Sequence, residues 1–456
     1  MSTATQPPFH AHIGIAAELT ISGLPVAAED ELIRQSTLAN PIFARKERLG
    51  LWTGATAPSI HLSRRTAEGL VVPRGSLELV VDLCRQHGVS YSVMDETVCP
   101  RLGLDITVSG RLHDFQERAL RALLRQRTGF LEAPTGSGKT NILLSVITRL
   151  KTTTLVLTHA KGLLDQTAQR CRDWLGVEPG IIGSGRWTMA PVTVALIQTL
   201  ARRGCEDIGG HFGAVLIDEA HHSPARTWAA ILNALPARYK FGFTATAWRK
   251  DGLEALMWRT LGPITARIQA VDAVAAGTIL EPHITTVETG FDYDLQDPTD
   301  WTAMVSALVR DRDRNQLIAA EVRDRLTPGT RALILTDRVE HVSLLADLLA
   351  DLDPVVLTGA LPARVRQAAM RAVRTGAPLT IATAALLGEG IDVPGWDLLF
   401  MASPMAGGPR TLQAVGRVTR VTPGKTAALV VDFVDRRVPA LLAARRKRVE
   451  ALGRVA

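Results

Sequence analysis

The sequence predicts an α/β protein with two parallel β-sheets, preceded by a small α+β module. Residues 214–217 form a continuous apolar run, which is typical of a strand buried on both faces of a parallel sheet. Short apolar runs alternate with helical patterns across residues 332–401, which favours a second parallel sheet covered by helices. A chain of 456 residues is too long for one core. The expected domains are residues 1–105, 106–278 and 279–456.

The composition is that of a folded protein outside the membrane. Hydrophobic residues make up 46% and charged residues 21% of the chain, and no apolar run approaches the ~18 residues that would span a bilayer. The N-terminus lacks the basic and apolar stretches of a secretory signal, so we expect a cytoplasmic protein. Basic residues exceed acidic ones by 52 − 45 = 7, which favours a polyanionic partner. No zinc site or disulfide framework is expected from four widely spaced cysteines, Cys84, Cys99, Cys171 and Cys205.

The N-terminal module is expected to contain two short helices. Asn40 is a good N-cap, and Pro41 fits the first position of a helix that runs through Leu49. Ser76 is expected to cap a second helix that stops at Gly88 and buries Leu77, Val80, Val81 and Cys84. Strand-like runs occupy residues 60–62, 70–72 and 89–93. Basic side chains either line a phosphate path or form a solvated face: Arg45, Lys46, Arg48, Arg64, Arg65 and Arg74.

Residues 133–140 read Ala-Pro-Thr-Gly-Ser-Gly-Lys-Thr and predict a loop that binds the phosphates of a nucleoside triphosphate. A strand-like run, 129–132, precedes the loop and a helical pattern, 141–150, follows it, as such a loop requires. An ordinary glycine-rich turn is the alternative. Lys139 is expected to reach the β and γ phosphates, and the Thr140 hydroxyl to bind Mg²⁺. Glycines let backbone N–H groups curl around a phosphate at the helix N-terminus, and the expected cradle is Pro134, Thr135, Gly136, Ser137 and Gly138.

A carboxylate pair, Asp218 and Glu219, follows the buried run 214–217 and begins 79 residues after Lys139 (218 − 139 = 79). Ligands of open α/β sheets bind at the carboxyl ends of the strands. Asp218 is therefore expected to hold the Mg²⁺ shell, and Glu219 to orient and deprotonate the attacking water. An acidic pair after a strand is more often a helix N-cap, and the upstream loop is what favours catalysis.

The second half of the chain predicts a sheet without a phosphate loop of its own. Strands are expected at 332–336, 354–358, 379–383 and 398–401, with helices at 340–352 and 363–373. Gln413 is followed by Arg417 and Arg420, which are three residues apart and would project from one face of a helix. A fixed guanidinium group opposite the γ-phosphate stabilises the transition state, as an arginine finger does. Two arginines on a solvated helix are the alternative.

In order along the chain, these motifs resemble those of superfamily 2 helicases of the DEAD/DEAH type, and their spacing is closest to the XPB, UvsW and restriction-motor branch. The resemblance implies two RecA-like domains, ATP in the cleft between them and a nucleic acid strand crossing both. The blocks that carry it are Phe115-Gln116, residues 133–140, Gln198-Thr199, residues 218–221, residues 244–246, residues 383–392 and residues 413–420.

Carried over to this sequence, the resemblance implies roles for further residues. Gln116, beside Phe115, would read the adenine edge, and Gln413 would join the two arginines in catalysis. Nucleotide contacts are also implied for His221, Gly390 and Asp392. Thr244 and Thr246 would couple hydrolysis to domain movement. The residues implied to contact a strand without reading its sequence are Thr158, Gln198, Thr199, Thr358 and Thr383.

The chain departs from the family pattern at three places. The family more often has Arg where His113 stands and Tyr where Phe115 stands, and it commonly shows Pro-Thr near Thr158. After the third ATPase motif, Lys250 takes the middle position of an Arg-Glu-Asp element known in XPB. The charge reversal at Lys250 means that an unwinding role specific to that element does not carry over.

The expected function is an ATP-dependent DNA helicase or translocase in repair, recombination or phage defence, with ATP and Mg²⁺ as cofactors and duplex or forked DNA as partner. One alternative is the motor subunit of a restriction or defence complex with a separate nuclease chain. An RNA helicase, or a nucleic-acid clamp with a decayed ATPase, are the others. The basic run at residues 445–448, on a helix expected from Pro439 to Leu452, either grips nucleic acid or is a solvated helix end.

Overall fold

The computed structural model describes residues 9–106, 108–219, 225–245, 252–294, 300–387, 395–404 and 409–452. The chain divides into two compact units. The first comprises Met1–Glu132 and Lys139–Arg267, and the second comprises Ala133–Gly138 and Ile268–Ala456. Within the described ranges, no helix is both long and apolar enough to cross a membrane.

The first unit begins with the expected α+β module. Its elements are β1 (His10–Ile15), β2 (Leu19–Ser22), α1 (Val26–Gln35), β3 (Thr37–Ala39), α2 (Pro41–Arg48), β4 (Ser59–His61), β5 (Arg64–Thr66), β6 (Gly69–Val72), α3 (Leu77–Gln86) and β7 (Ser90–Asp95). Five strands form a sheet in the order β5-β6-β2-β1-β7, in which β1 and β7 are parallel. The strands β3 and β4 form a separate antiparallel hairpin.

Both predicted helices of this module are present, but only one is capped as expected. The Asn40 side chain accepts a hydrogen bond from the backbone N–H of Ile42, which begins α2. The prediction that Ser76 caps α3 is wrong, because a 3-10 turn over Arg74–Ser76 leads into the helix and the Ser76 side chain makes no cap bond among the described residues. Leu83, and not Val81, completes the buried stripe of α3.

A parallel sheet follows in the first unit. Its elements are α4 (Asp114–Leu124), β8 (Thr128–Glu132), α5 (Lys139–Leu150), β9 (Thr154–Thr158), α6 (Lys161–Arg170), β10 (Gly180–Gly183), β11 (Arg186–Trp187), β12 (Val192–Leu196), α7 (Ile197–Arg203), β13 (Ala214–Asp218), α8 (Ala225–Ala234), β14 (Tyr239–Thr244), α9 (Glu254–Leu261) and β15 (Ile264–Arg267). The strand order is β11-β10-β12-β9-β13-β14-β8-β15, and only the β10–β11 pairing is antiparallel. All five residues of β13 are buried, as the apolar run predicts.

Two buried cations join the N-terminal module to this parallel sheet. The Arg74 guanidinium donates to the backbone carbonyls of Ala237 and Arg238, just before β14. Within β14, the Lys240 ammonium donates to the carbonyls of Ala17 (2.8 Å) and Leu232 (2.7 Å). Burial lowers the pKa of Lys240 well below its ordinary value. These bonds tie the module to the motor sheet as one packed body.

The second unit contains a six-stranded parallel sheet among its described residues. Its elements are α10 (Ala270–Ala275), β16 (Pro282–Glu288), α11 (Trp301–Arg310), α12 (Arg312–Arg325), β17 (Ala332–Thr336), α13 (Val339–Leu348), β18 (Val355–Leu357), α14 (Ala363–Thr375), β19 (Leu379–Thr383), α15 (Ala384–Leu387), β20 (Leu398–Met401), α16 (Pro409–Val418), β21 (Ala428–Val434) and α17 (Pro439–Leu452). The strand order is β16-β21-β20-β17-β19-β18, with every pairing parallel. The two parallel sheets and the α+β module confirm the predicted fold class.

A buried ion pair fixes the start of α12 against the end of the sheet. The Arg314 side chain is fully buried and donates from Nε to Asp435 (2.8 Å) and from a terminal nitrogen to the Ala402 carbonyl (2.7 Å). The hydroxyl of Thr289 also donates to Asp435 at 2.5 Å. A charge buried this deeply is tolerated only when it is paired and hydrogen-bonded.

The C-terminal arginine run is partly structural. Arg448 is 2% exposed and pairs with the buried Asp432 of β21, with a nitrogen–oxygen distance of 2.7 Å. Arg445 lies 3.6 Å from the same carboxylate and donates to the Thr286 hydroxyl at 3.3 Å. Neither alternative offered for residues 445–448 holds for Arg448, because its charge attaches α17 to the sheet.

Candidate ATP and nucleic-acid site

The predicted nucleotide residues of the first unit meet at the carboxyl edge of its parallel sheet. The strands β13, β14 and β8 are neighbours in that order. They end at Asp218, Thr244 and Glu132, and the phosphate loop begins immediately after Glu132. Parallel strands bring their carboxyl ends to one edge, which is where ligands of open α/β sheets bind.

The phosphate loop has the backbone that its glycines predict. Gly136 has φ = 89° and Gly138 has φ = 83°, both in the region that side chains with a Cβ rarely adopt. The Ser137 hydroxyl donates to the Pro134 carbonyl at 2.7 Å, which closes the loop on itself. Lys139 is the first residue of α5, so the loop ends at a helix N-terminus, where the helix dipole favours an anion.

The catalytic candidates of the first unit lie together. The Lys139 ammonium is 3.9 Å from a Glu219 carboxylate oxygen. Burial raises the pKa of Asp218 to about 7, the adjacent Glu219 charge raises it further and Lys139 lowers it. Glu219 has φ = 50°, a strained conformation for a residue other than glycine. Strain and perturbed carboxylates are typical of functional sites.

The donor groups fit a magnesium ion that phosphates help to hold. Asp218 offers a buried carboxylate, and Thr140, which follows Lys139 in α5, offers a hydroxyl. A bound cation would stabilise the ionised form of Asp218. Among the described residues, no group of three or more His, Cys, Asp or Glu side chains could hold a metal ion on protein ligands alone. Magnesium typically keeps one or two protein ligands and takes the rest from phosphates and water, so the small donor set agrees with it.

The predicted adenine reader also has a structural role. Gln116 is 2% exposed, and its Oε1 accepts a hydrogen bond from the backbone N–H of His113 (2.9 Å) in a capping box that begins α4. Phe115 is buried, and its ring stacks on that of His113 with centroids 5.8 Å apart. Adenine recognition by Gln116 and Phe115 stays a prediction.

Four implied residues lie outside the described ranges. They are His221, Thr246, Gly390 and Asp392. Thr244, the partner of Thr246 in the implied coupling motif, is fully buried at the end of β14.

The nucleic-acid candidates of the first unit lie on the next two strands of the same edge. Thr158 ends β9, and Gln198 and Thr199 begin α7 just after β12, whose Leu196 pairs with Thr158. The Thr158 hydroxyl is buried and donates to the Ala195 carbonyl at 3.3 Å, so its backbone is better placed than its side chain for a phosphate. Gln198 is exposed and donates to the His159 carbonyl at 2.7 Å.

The candidates of the second unit occupy the corresponding edge of its own sheet. Thr383 ends β19, and Thr358 follows the neighbouring β18, whose Leu357 pairs with Ala382. Both side chains are largely buried. Sequence reasoning missed a polar pair at this edge, Thr336 at the end of β17 and Ser403 after β20, whose hydroxyls are 2.7 Å apart. The predicted ends of the two strands were the available signal.

The expectation that Arg417 and Arg420 share one helix is wrong. The helix α16 ends at Val418, and Arg420 forms an isolated antiparallel bridge with Ile279. The backbone N–H of Leu280 donates to the Thr419 carbonyl at 2.7 Å, and this pairing ends the helix. Gln413 is 7% exposed and lies on α16 one turn before Arg417. Arg417 and Arg420 are each partly exposed.

The basic residues of the N-terminal module divide into two groups. Arg64 pairs with Glu18 and Arg65 with Glu29, while Arg74 is buried on backbone carbonyls. Three of the six candidates therefore have structural partners. The remaining three lie together on α2: Arg45, Lys46 and Arg48.

Comparison with known proteins agrees with this geometry. Residues 109–249 match the family model described as type III restriction enzyme, res subunit, and residues 313–422 match the helicase conserved C-terminal domain. The chain is 25% identical to "Probable helicase D10" of Escherichia phage T5, over 78% of each chain. It is also 25% identical to "DNA 3'-5' translocase XPB2" of Sulfurisphaera tokodaii, over 74% of this chain and 84% of the relative.

A solved structure supports the fold. The type ISP restriction-modification enzyme LlaBIII, solved bound to DNA, matches 76% of this chain and 30% of its own, with a TM-score of 0.54 and 16% identity. The two helicase domains imply ATP use and an ATP-dependent helicase. The chain therefore belongs to the superfamily 2 helicases, in the branch of the XPB-type translocases, UvsW and the restriction motors.

Proposed function

We propose that this protein couples ATP hydrolysis to movement on DNA, as a helicase or translocase. The proposal rests on one observation above all. Along a single sheet edge of the first unit, the phosphate loop, the carboxylate pair and the candidate strand contacts occupy neighbouring strands. A change at the nucleotide is thereby adjacent to the groups that would hold a strand. The DNA substrate is inferred from the names of the similar helicases and translocases.

The residues of the first unit suggest how hydrolysis would proceed. The loop N–H groups and Lys139 would bind the β and γ phosphates, and Thr140 with Asp218 would hold Mg²⁺, which supplies charge neutralisation when bound. Glu219 would orient the attacking water and accept its proton. Lys139, close to Glu219, would favour the ionised carboxylate until the phosphate takes its place.

The second unit would supply the remaining charge. We assign Gln413, Arg417 and Arg420 to the γ-phosphate on the strength of the motif resemblance, together with the implied nucleotide contacts His221, Gly390 and Asp392. Thr244 and Thr246 are assigned to coupling. An arginine finger raises the rate by about 10³- to 10⁵-fold in phosphoryl transfer enzymes. Alternate binding of the strand at the two sheet edges, through hydroxyl, amide and backbone groups, would then produce movement along the phosphate backbone.

An ATPase assay on the full chain tests the proposal. Phosphate release is measured with forked DNA, blunt duplex, single-stranded DNA and RNA, each with and without Mg²⁺. We expect stimulation by duplex or forked DNA, and a loss of at least about 100-fold in Lys139→Ala, by analogy with removal of a single transition-state donor. The control is Lys151→Asn, because Lys151 has φ = 50° and asparagine tolerates that conformation.

Three results would contradict the proposal. Stimulation by RNA alone would indicate an RNA helicase. Unchanged nucleic-acid-stimulated phosphate release in Lys139→Ala would indicate a clamp with another source of hydrolysis. Activity that appears only when a nuclease or methyltransferase chain co-purifies would indicate a restriction or defence motor.

A further inference from the structure

Residues 41–58, here called the arm, project between β3 and β4 without burying their helix. The arm consists of α2 and the loop that follows it, and none of the residues of α2 is buried. A short helix that buries nothing gains little from the hydrophobic effect. Its conformation must be held by other means, and the arm must serve something other than the core.

Hydrogen bonds at the base hold the arm in shape. Asn40 is 2% exposed, accepts from Ile42 at 3.1 Å and donates from Nδ2 to the Ala57 carbonyl at 2.7 Å. These two bonds connect the first and last turns of the arm. Farther out, the Lys46 ammonium donates to the Thr56 hydroxyl at 2.9 Å. The arm is therefore an ordered projection, closed by a buried side chain.

The base of the arm is attached to the motor sheet of the same unit. Ile60, in β4, belongs to the hydrophobic cluster that contains Leu253 and Leu256. A Cβ on Gly252 would lie 3.0 Å from Cβ of Pro41. Gly252 follows Thr244, the end of β14, by eight residues (252 − 244 = 8). The arm therefore begins close in sequence and space to the segment that leaves the carboxyl edge of the sheet.

The outer part of the arm combines an aromatic ring with positive charge. Trp52 is 86% exposed, the largest value among the exposed large hydrophobic residues of the described chain. A Cβ on Gly54 would lie 2.5 Å from a ring atom of Trp52, so the indole rests against that glycine. Arg45 and Arg48 are exposed on the helix, and the arm carries three basic residues and one acidic residue.

We propose that the arm binds single-stranded nucleic acid, with Trp52 stacking on an unpaired base and Arg45 and Arg48 contacting phosphates. This inference rests on the proposed function. Proteins that bind single strands without sequence preference combine aromatic stacking surfaces with a basic path. A net charge of +2 on the arm (3 − 1 = 2) favours a polyanion over an apolar protein surface. The held shape of the arm lowers the entropy cost of binding.

The test measures fluorescence anisotropy of labelled strands with the full chain, without nucleotide. Wild type is compared with Trp52→Ala, Trp52→Phe and the control Trp258→Ala, since Trp258 is 46% exposed on α9. Base stacking on an aromatic residue predicts a loss of about 5- to 150-fold in affinity for single strands in Trp52→Ala. Trp52→Phe should lose much less, and blunt duplex should bind all variants alike.

Two further measurements separate stacking from charge. On a strand of abasic residues, the difference between wild type and Trp52→Ala should vanish, because no base remains to stack. In Arg45→Ala/Arg48→Ala, the slope of log affinity against log salt should become shallower by about 1.4, from about 0.7 for each phosphate contact on a single strand.

The outcomes distinguish this inference from the proposed function. If wild type binds no nucleic acid, both fail. If wild type binds single strands and Trp52→Ala binds as well as Trp258→Ala, only the role of the arm fails. An equal loss on abasic strands would also overturn stacking. A protein that binds wild type but not Trp52→Ala, with unchanged strand affinity, would show that the arm is a protein-docking surface instead.

Discussion

Asp435→Asn is expected to destabilise the second unit strongly, because it leaves the Arg314 charge buried without a counter-ion. The substitution preserves the size of the side chain and removes only its charge. In the native structure Arg314 and Asp435 have side chains that are 0% and 2% exposed, so water cannot replace the lost partner. The affected contacts lie beside Ala402, where the chain leaves β20.

The expected magnitude follows from the burial of this pair. Removing one member of a buried ion pair costs about 3–5 kcal/mol in the free energy of unfolding. For a unit of about 150–250 residues, each kcal/mol lowers Tm by about 2–4 °C, so the transition of the second unit should fall by about 6–20 °C. The hydroxyl of Thr289 still donates to the remaining oxygen, which places the loss toward the lower half of that range.

Differential scanning calorimetry of the full chain measures the effect. The matched control is Glu340→Gln, which makes the same carboxylate-to-amide change in the exposed pair of Arg310 and Glu340, with a nitrogen–oxygen distance of 2.7 Å. Exposed pairs contribute little to stability, so Tm should stay within error of wild type. A fall of less than about 2 °C in Asp435→Asn, or one equal to that of the control, would refute the reasoning.

Three other predictions follow from burial and close packing. Burial, and then the Arg314 charge, lower the pKa of His341 to about 3, so its contribution is present above pH 6.5 and is lost by about 1.4 kcal/mol per pH unit below it; urea titrations should show a flatter profile in His341→Gln. Gly75→Ala should detach the N-terminal module and increase its proteolysis, because the new Cβ would lie 2.4 Å from the Gly262 nitrogen, whereas Gly210→Ala meets nothing within 4 Å and should match wild type. Asp432→Asn should free α17, seen as faster amide exchange there, because Arg448 would lose its buried partner; unchanged exchange would contradict this.

Elements that are buried on every side were predictable from the sequence. The apolar runs 332–336, 379–383 and 398–401 coincide with strands, because a strand covered on both faces must be apolar throughout. The strand β21 was not recognised, since Asp432 interrupts its apolar pattern. That charge is compatible with burial only through Arg448, which is 16 residues away in the chain.

Within the candidate site, local backbone chemistry was predictable and tertiary pairing was not. The phosphate loop depends on glycines and a following helix, both visible in the sequence. The end of α16 before Arg420 depends on pairing with Ile279, some 140 residues earlier (420 − 279 = 141). The structural use of Arg74 depends likewise on carbonyls that only the folded chain brings near. Residue roles at the site stay predictions until the ATPase variants are measured.

The strand β14 behaves as a short mechanical linkage. Lys240, near one end, is held by the Ala17 carbonyl of the N-terminal module, and Thr244 is at the other end. Four residues of extended chain span ~13 Å. Because β14 is bonded to β13 and β8 along its length, it resists stretching or slipping alone. Tension applied to the module would therefore arrive at Thr244 undiminished, and a load on the tip of the molecule could set the pace of its ATP cycle.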